Sequence, residues 1–241
     1  MGTSKIEWTE TTWNPTTGCS KISSGCKHCY AERMSKRLQS MGVEKYKDGF
    51  ALRFHPEVLK EPYSWKKPRT VFVNSMSDLF HEDMPLKVIK DIFKAMNDNQ
   101  LHTFQVLTKR ADILLKYSKH LNWTKNIWMG VTVENQENVF RVDQLREIEA
   151  NVKFLSIEPL IGKIDLLNLQ NIDWVIVGGE SGPGARQIEE DWVLGIKQNC
   201  QAQNTPFFFK QWGGTNKKKN GRMLSGQTWS EMPEITGHKI N

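Results

Sequence analysis

Thr103-Phe-Gln-Val-Leu-Thr108-Lys109-Arg110 carries the pattern on which the fold turns. A short apolar run ends abruptly in a polar cluster, and an amphipathic stretch with Ile113, Leu114 and Tyr117 follows. Strands buried on both faces of a parallel sheet read as such continuous runs. The same unit recurs outward from here. Strands are expected at Lys5–Thr9, Thr70–Asn74, Thr103–Leu107, Ile127–Val133, Val152–Ile157, Trp174–Val177 and Pro206–Lys210. Between them lie helical patterns. In Pro85–Asn97, residues Leu86, Ile89, Ile92, Phe93 and Met96 share one face. Arg110–His120, Gln136–Ile148 (Val139, Val142, Leu145) and Glu189–Gln201 (Trp192, Ile196, Cys200) repeat the theme.

From Thr70 onward the strand starts are about 20 to 35 residues apart, the spacing of repeated βα units. Such units build a doubly wound sheet or a barrel. No internal repeat or linker divides the chain, so one domain over residues 1–213 is expected. An extension over 214–241 follows, with Lys217-Lys218-Lys219, several glycines and Trp229.

The bulk properties set limits. The 241 residues are 38% hydrophobic and 25% charged, as in a soluble globular protein, and can bury a substantial core without disulfides. No run of 18 apolar residues exists, so no membrane span is expected. Met1-Gly-Thr-Ser-Lys5 has no apolar region of a secretory signal, and a cytoplasmic location is expected. A net charge of +6 favours a phosphate-bearing partner without requiring one. No Walker motif, zinc-binding H-E-x-x-H helix or G-x-S-x-G elbow is present.

In parallel α/β folds, functional groups gather at the C-terminal ends of the strands. Here those ends read Asn74-Ser75-Met76-Ser77-Asp78, Thr108-Lys109-Arg110, Thr132-Val133-Glu134-Asn135, Ser156-Ile157-Glu158, Gly178-Gly179-Glu180-Ser181 and Lys210-Gln211-Trp212. Any one of them could be helix capping. If the sheet closes even partly, they converge on one mouth, with Glu134, Glu158 and Glu180 facing Lys109 and Lys210. Charges buried there must pair with each other or with a ligand.

The second decisive segment is Trp13-Asn14-Pro15-Thr16-Thr17-Gly18-Cys19-Ser-Lys-Ile-Ser-Ser-Gly25-Cys26-Lys27-His28-Cys29-Tyr30-Ala31-Glu32-Arg33-Met34. Three of the four cysteines fall within eleven residues, which in a cytoplasmic chain reads as a metal site. Gly18 and Gly25 let the backbone wrap closely around an inorganic group. Two chemistries fit. A [4Fe–4S] cluster on Cys19, Cys26 and Cys29 leaves one iron open. Zinc needs a fourth ligand, from His28, His55, His81 or water.

This segment resembles the radical S-adenosylmethionine (SAM) superfamily, especially the branch around spore photoproduct lyase. The first cysteine gap is three residues longer than usual there, and His28 stands where an aromatic residue is common. Gln105-Val-Leu-Thr108-Lys109-Arg110 also resembles a strand end of that branch. Over nearly its full length the chain is similar to a phage-associated family of unknown function, the three-Cys-motif proteins. Trp13-Asn-Pro-Thr-Thr-Gly-Cys19 and Phe208-Phe209-Lys210-Gln211-Trp212-Gly213-Gly214 carry that likeness.

The resemblance implies an α/β fold, a partial (β/α)6 TIM-like barrel with a short C-terminal extension. It implies a [4Fe–4S] cluster at the top, with SAM chelating the open iron. One electron from a reductant such as flavodoxin or ferredoxin would cleave SAM, and the 5′-deoxyadenosyl radical would abstract hydrogen from a substrate, in this branch a nucleic acid or nucleotide. Ser75, Ser77 and Asp78 then become candidate SAM contacts, with Thr108 and Glu158 beside them. Lys109 would pair with the SAM carboxylate, Glu134 with the ribose hydroxyls, and His28 and Tyr30 would lie near the adenine. Lys109, Glu180 and Lys210 are the candidate catalytic groups. An accessory protein encoded nearby is a further implied partner. The rival readings are a zinc-dependent hydrolase or deaminase and a non-catalytic, metal-stabilised binding protein in a phage or defence complex.

Three weaker signals remain. Gly178–Arg186 is a glycine-rich loop between strand and helix that could cradle phosphate, though it lacks the full dinucleotide fingerprint. Cys200 falls on an apolar helical face and reads as core. The nine tryptophans suit core or loop anchors as well as base stacking.

Overall fold

The computed structural model describes residue 4 and residues 6–234. Seven strands form one sheet: β1 (Thr11–Trp13), β4 (Thr70–Val73), β5 (Thr103–Thr108), β6 (Ile127–Thr132), β7 (Val152–Ile157), β8 (Trp174–Gly178) and β9 (Phe207–Gln211). They lie side by side in that order, and every neighbouring pair is parallel. A separate two-stranded ribbon pairs β2 (Thr16–Thr17) with β3 (Arg53–Phe54), close to the cysteine segment. The helices are α1 (Tyr30–Ser40), α2 (Leu86–Asp98), α3 (Ala111–Ser118), α4 (Phe140–Arg146), α5 (Glu190–Ala202) and α6 (Lys217–Asn220).

Alternation along the strands separates two cores. On one face, Val71, Val73, Val106, Met129, Val131, Leu155, Val177 and Phe209 pack with Ile89, Ile92, Phe93, Leu114, Val142, Leu145, Val193 and Ile196 of α2 to α5. On the other, Trp8, Trp128, Phe154, Trp174, Ile176 and Phe208 form a cluster with no helix in it. Gly130 makes room there, because a Cβ at that position would stand 2.5 Å from the Phe154 ring.

The sheet is curled into a half-barrel. Trp8 demonstrates it. Its ring lies 4.8 Å from Phe72 on β4 and 6.4 Å from Trp174 on β8. In a flat sheet the four steps from β4 to β8 would span about 19 Å. The two strands reach one indole only because the sheet wraps around it. Curling brings the C-terminal ends of the strands onto a single concave rim.

One expected strand is placed differently. The first strand is Thr11–Trp13, not Lys5–Thr9. Lys5 lies outside the described residues, and Ile6 and Trp8 belong to the segment before the strand, where Trp8 fills the concave face. The crossover from β7 to β8, residues 158–173, contains no helix, and no helical pattern is read there in the sequence. The Glu158–Pro159 bond in it is cis.

Residues 229–231 lie along the outer edge of β9. Phe209 N–H donates to Trp229 O at 3.1 Å and Glu231 N–H to Phe207 O at 3.2 Å. Trp174 Nε1 donates to Glu231 O at 2.8 Å, and Leu224 is fully buried. This antiparallel strap satisfies an edge that would otherwise invite pairing with another chain. Among the described residues, no helix is long and apolar enough to cross a membrane.

Candidate functional site

The strand-end residues anticipated from the sequence meet on the rim, mostly as ion pairs. Glu134, fully buried, receives Lys109 Nζ at 3.3 Å and Arg141 Nη1 at 2.8 Å. Ser23 Oγ donates to it at 2.6 Å. Burial pushes its carboxyl up, but Lys109, Arg141 and Ser23 outweigh that and leave it below its ordinary value. Gly25 lies against the same carboxylate: a Cβ there would stand 2.5 Å from Glu134 Cγ. The loop carrying the cysteines is therefore docked on the end of β6.

Asp78 organises the next strand. It accepts from Thr108 Oγ1 (2.6 Å), Phe80 N (3.0 Å), Lys109 N (3.1 Å) and Arg110 Nη1 (3.1 Å). Four donors fill the acceptor sites of a carboxylate, so Asp78 and Thr108 shape the rim from within. The Arg110 guanidinium, 3% exposed, also donates to Glu82 (2.6 Å), Ser20 Oγ (2.7 Å), Ser20 O (3.1 Å) and Cys19 Sγ (3.4 Å).

Further round the rim, Lys210 Nζ lies 3.2 Å from Glu158, and Ser156 Oγ donates to the same carboxylate at 3.3 Å. Gly178 leaves space for it, since a Cβ there would meet Glu158 Oε1 at 2.6 Å. Lys210 Nζ is also 6.0 Å from the Trp8 ring, which places this pair above the aromatic floor. Glu180 is clamped by Arg186, which donates from its backbone N–H (2.9 Å), Nε (2.9 Å) and Nη2 (2.7 Å). The glycine-rich loop thus folds back on its own carboxylate. It also meets the cysteine segment: Arg33 Nη2 donates to Ser181 O at 2.9 Å, and His28 sits where a Gly184 side chain would project.

Ser75 Oγ donates to Asn14 Oδ1 at 3.1 Å, and Ser77 Oγ to Thr16 O at 3.1 Å. Both tie the end of β4 to the segment before the cysteines. Tyr30 is 48% exposed and its hydroxyl donates to Met76 Sδ at 3.5 Å.

Cys19, Cys26 and Cys29 are free and half-buried. Gly18, at φ +85°, brings the backbone so close to Ala51 that a Cβ would overlap its carbonyl. Burial and nearby Asp78 push the Cys19 thiol up to about 11. Burial also acts on Cys26, but Lys109 and neighbouring hydrogen bonds bring it below its ordinary value. Two of the histidines considered for zinc have side-chain partners of their own. His55 Nε2 bonds Thr17 Oγ1 at 2.8 Å, and His81 Nδ1 accepts from Asp83 N at 3.1 Å. Among the described residues, no three His, Cys, Asp or Glu side chains are gathered closely enough to enclose one metal ion.

A family model described as "Protein of unknown function (DUF5131)" matches residues 3–233. The chain belongs to that family. No curated protein sequence matches this DUF5131 chain. Among solved structures, a cysteine-to-serine mutant of spore photoproduct lyase is 13% identical, with a TM-score of 0.47, over 74% of this chain and 58% of that one. The lyase complexed with dinucleoside spore photoproduct is 12% identical, with a TM-score of 0.46, over 82% of this chain and 62% of the other. The DUF5131 chain thus spans less than two thirds of the lyase's length.

Several functional groups of the DUF5131 chain escape a reading of the sequence. Arg141 lies on α4 among apolar positions, yet it is buried and holds Glu134. A cation inside an apolar stripe was the available signal, because buried Arg requires a partner. Ser23 and Glu82 carry no such mark, and their roles follow only from the curl of the sheet.

Proposed function

We propose that this chain is a radical SAM enzyme in which Cys19, Cys26 and Cys29 hold a [4Fe–4S] cluster at the mouth of the half-barrel, acting on a nucleic acid or nucleotide. One observation carries the reading: three free, half-buried cysteines ride on a loop pinned to two strand ends, by Ser23 to Glu134 and by Arg110 to Cys19.

The donor set fits the cluster better than it fits zinc. A single ion needs its ligands around one point, whereas a four-iron cluster spreads three cysteines over three irons. The cations fit as well. Three thiolates bring negative charge into a half-buried site, and Arg110 and Lys109 stand beside Cys19 and Cys26 to offset it. Bound together, cluster and SAM supply one-electron cleavage of the sulfonium and hydrogen-atom abstraction.

The chain's own groups bind and orient. Lys109, 21% exposed and paired with Glu134, would supply the cation for the carboxylate of SAM. Glu134, held by Arg141 and Ser23, would serve the ribose hydroxyls. Tyr30 and His28 flank the adenine, and Ser75 and Ser77 keep the floor of that subsite rigid. The Glu158–Lys210 pair and the clamped Glu180 line the far rim, where substrate enters. Lys210 is the cation there for a phosphate or a polar base edge.

The test is turnover. Protein reconstituted under anaerobic conditions and reduced with dithionite, then given SAM, is expected to release 5′-deoxyadenosine and methionine, and a Cys26→Ala variant is not. A fully loaded cluster that binds SAM without cleaving it would replace the enzyme reading with a binding role.

A further inference from the structure

Asn74 follows directly on β4 at its C-terminal end. Phe72 lies against Trp8, and Asn74 is the first residue beyond the last position of β4. It is 3% exposed and held at φ +59°, a left-handed conformation that asparagine tolerates better than most residues. Two backbone contacts fix it. Its N–H donates to Trp13 O at 2.8 Å, and its Oδ1 accepts from Thr16 N–H at 3.2 Å. The second contact decides which side-chain atom is oxygen. Nδ2 is then left buried with no partner. Buried donors without acceptors are rare, and each calls for an explanation.

Nothing else at this strand end offers a free donor of that kind. Ser75 and Ser77 donate to Asn14 and Thr16, and Asp78 is an acceptor filled by four donors. Thr16, which Asn74 holds, stands three residues before Cys19. The orphan amide therefore sits below the start of the cysteine loop.

We infer that Asn74 is a ligand-binding residue of the mouth, its side-chain N–H donating to a carboxylate oxygen of the amino-acid end of SAM. The inference rests on the radical SAM reading above. A donor-only atom requires an acceptor, and the carboxylate is the acceptor-only, charged group of that cofactor.

The test uses the full chain, reconstituted and left unreduced so that nothing turns over. Two probes are titrated by calorimetry: S-adenosylhomocysteine, which keeps the amino-acid end, and 5′-methylthioadenosine, which lacks it. Asn74→Ala removes the donor. Asn74→Asp keeps the shape, the left-handed tolerance and the Thr16 contact, but opposes one carboxylate with another. Affinity for S-adenosylhomocysteine is expected to fall by about tenfold or more in the alanine variant, the loss of a hydrogen bond to a charged group, and further in the aspartate variant. Affinity for 5′-methylthioadenosine is expected to stay within about twofold. Equal weakening of both probes, or weakening of neither, overturns the inference and leaves Asn74 a buttress or the host of a buried water. If the wild type binds neither probe, the radical SAM reading fails and takes this inference with it. If it binds both and the variants do not discriminate, only the role of Asn74 fails.

Discussion

Arg110 donates to Cys19 Sγ at 3.4 Å through the same Nη1 that reaches Asp78 at 3.1 Å. One buried guanidinium thus couples a candidate cluster ligand to the carboxylate that organises the rim.

Replacing Arg110 by Ala leaves Asp78 buried without its counter-charge. Breaking such a pair by removing one partner costs about 3–5 kcal/mol. Denaturant unfolding is expected to show a loss of that order, together with a lower iron content after reconstitution. Arg110→Lys should recover part of the stability but not the forked contacts to Glu82 and Ser20.

Gly25→Ala sets a methyl group 2.5 Å from Glu134 Cγ, so the loop or the carboxylate must move. Overpacking of this kind costs about 1–3 kcal/mol. The expected signature is a lower melting temperature with weaker cluster retention, since the Ser23–Glu134 contact loosens. Gly42→Ala is the control, because nothing lies within 4 Å of that Cβ. Gly42 sits at φ +71°, so some strain of its own is expected there, but no loss of cluster.

Glu82 supplies a pH dependence. Burial pushes its carboxyl up, but hydrogen bonds from Ser20 and Arg110 prevail and bring it to about 2. A carboxyl whose folded value lies below its unfolded one stabilises the fold fully above the unfolded value, and that contribution disappears as pH falls through the folded one. Stability is therefore expected to fall as pH drops from about 4.5 toward 2. Urea midpoints across that window should show a shallower slope in Glu82→Gln. An unchanged slope would remove Glu82 from the network.

Trp8→Ala tests the curl. The indole joins Phe72, Phe154 and Trp174 across the concave face. Truncating a buried aromatic costs about 3–5 kcal/mol. Because Lys210 lies over the same ring, binding of ligands at the mouth should weaken along with stability.

Much of this was legible in the sequence. The central strands announce themselves at Ile127, Val152 and Trp174 because they are buried on both faces and need continuous apolar runs. The strand-end carboxylates and lysines were legible because parallel topology sends every such end to one rim. The first strand was not. Thr11-Thr12-Trp13 has a single large apolar residue, while nearby Ile6 and Trp8 mimic a strand yet serve as a plug. In the helix-free stretch before Trp174, isolated apolar residues such as Leu160, Leu167 and Leu169 fill the core from irregular backbone. The partners of the charges stayed hidden too. That Lys109 meets Glu134, Lys210 meets Glu158, and Glu180 meets Arg186 depends on curvature, which no local pattern encodes.

The metal content of oxygen-free protein tests the cluster most directly. After anaerobic reconstitution about four irons and four sulfides per chain are expected, with a brown absorbance that disappears in Cys19→Ala, Cys26→Ala and Cys29→Ala alike. One tightly held zinc per chain, with no capacity for iron, would contradict the cluster assignment.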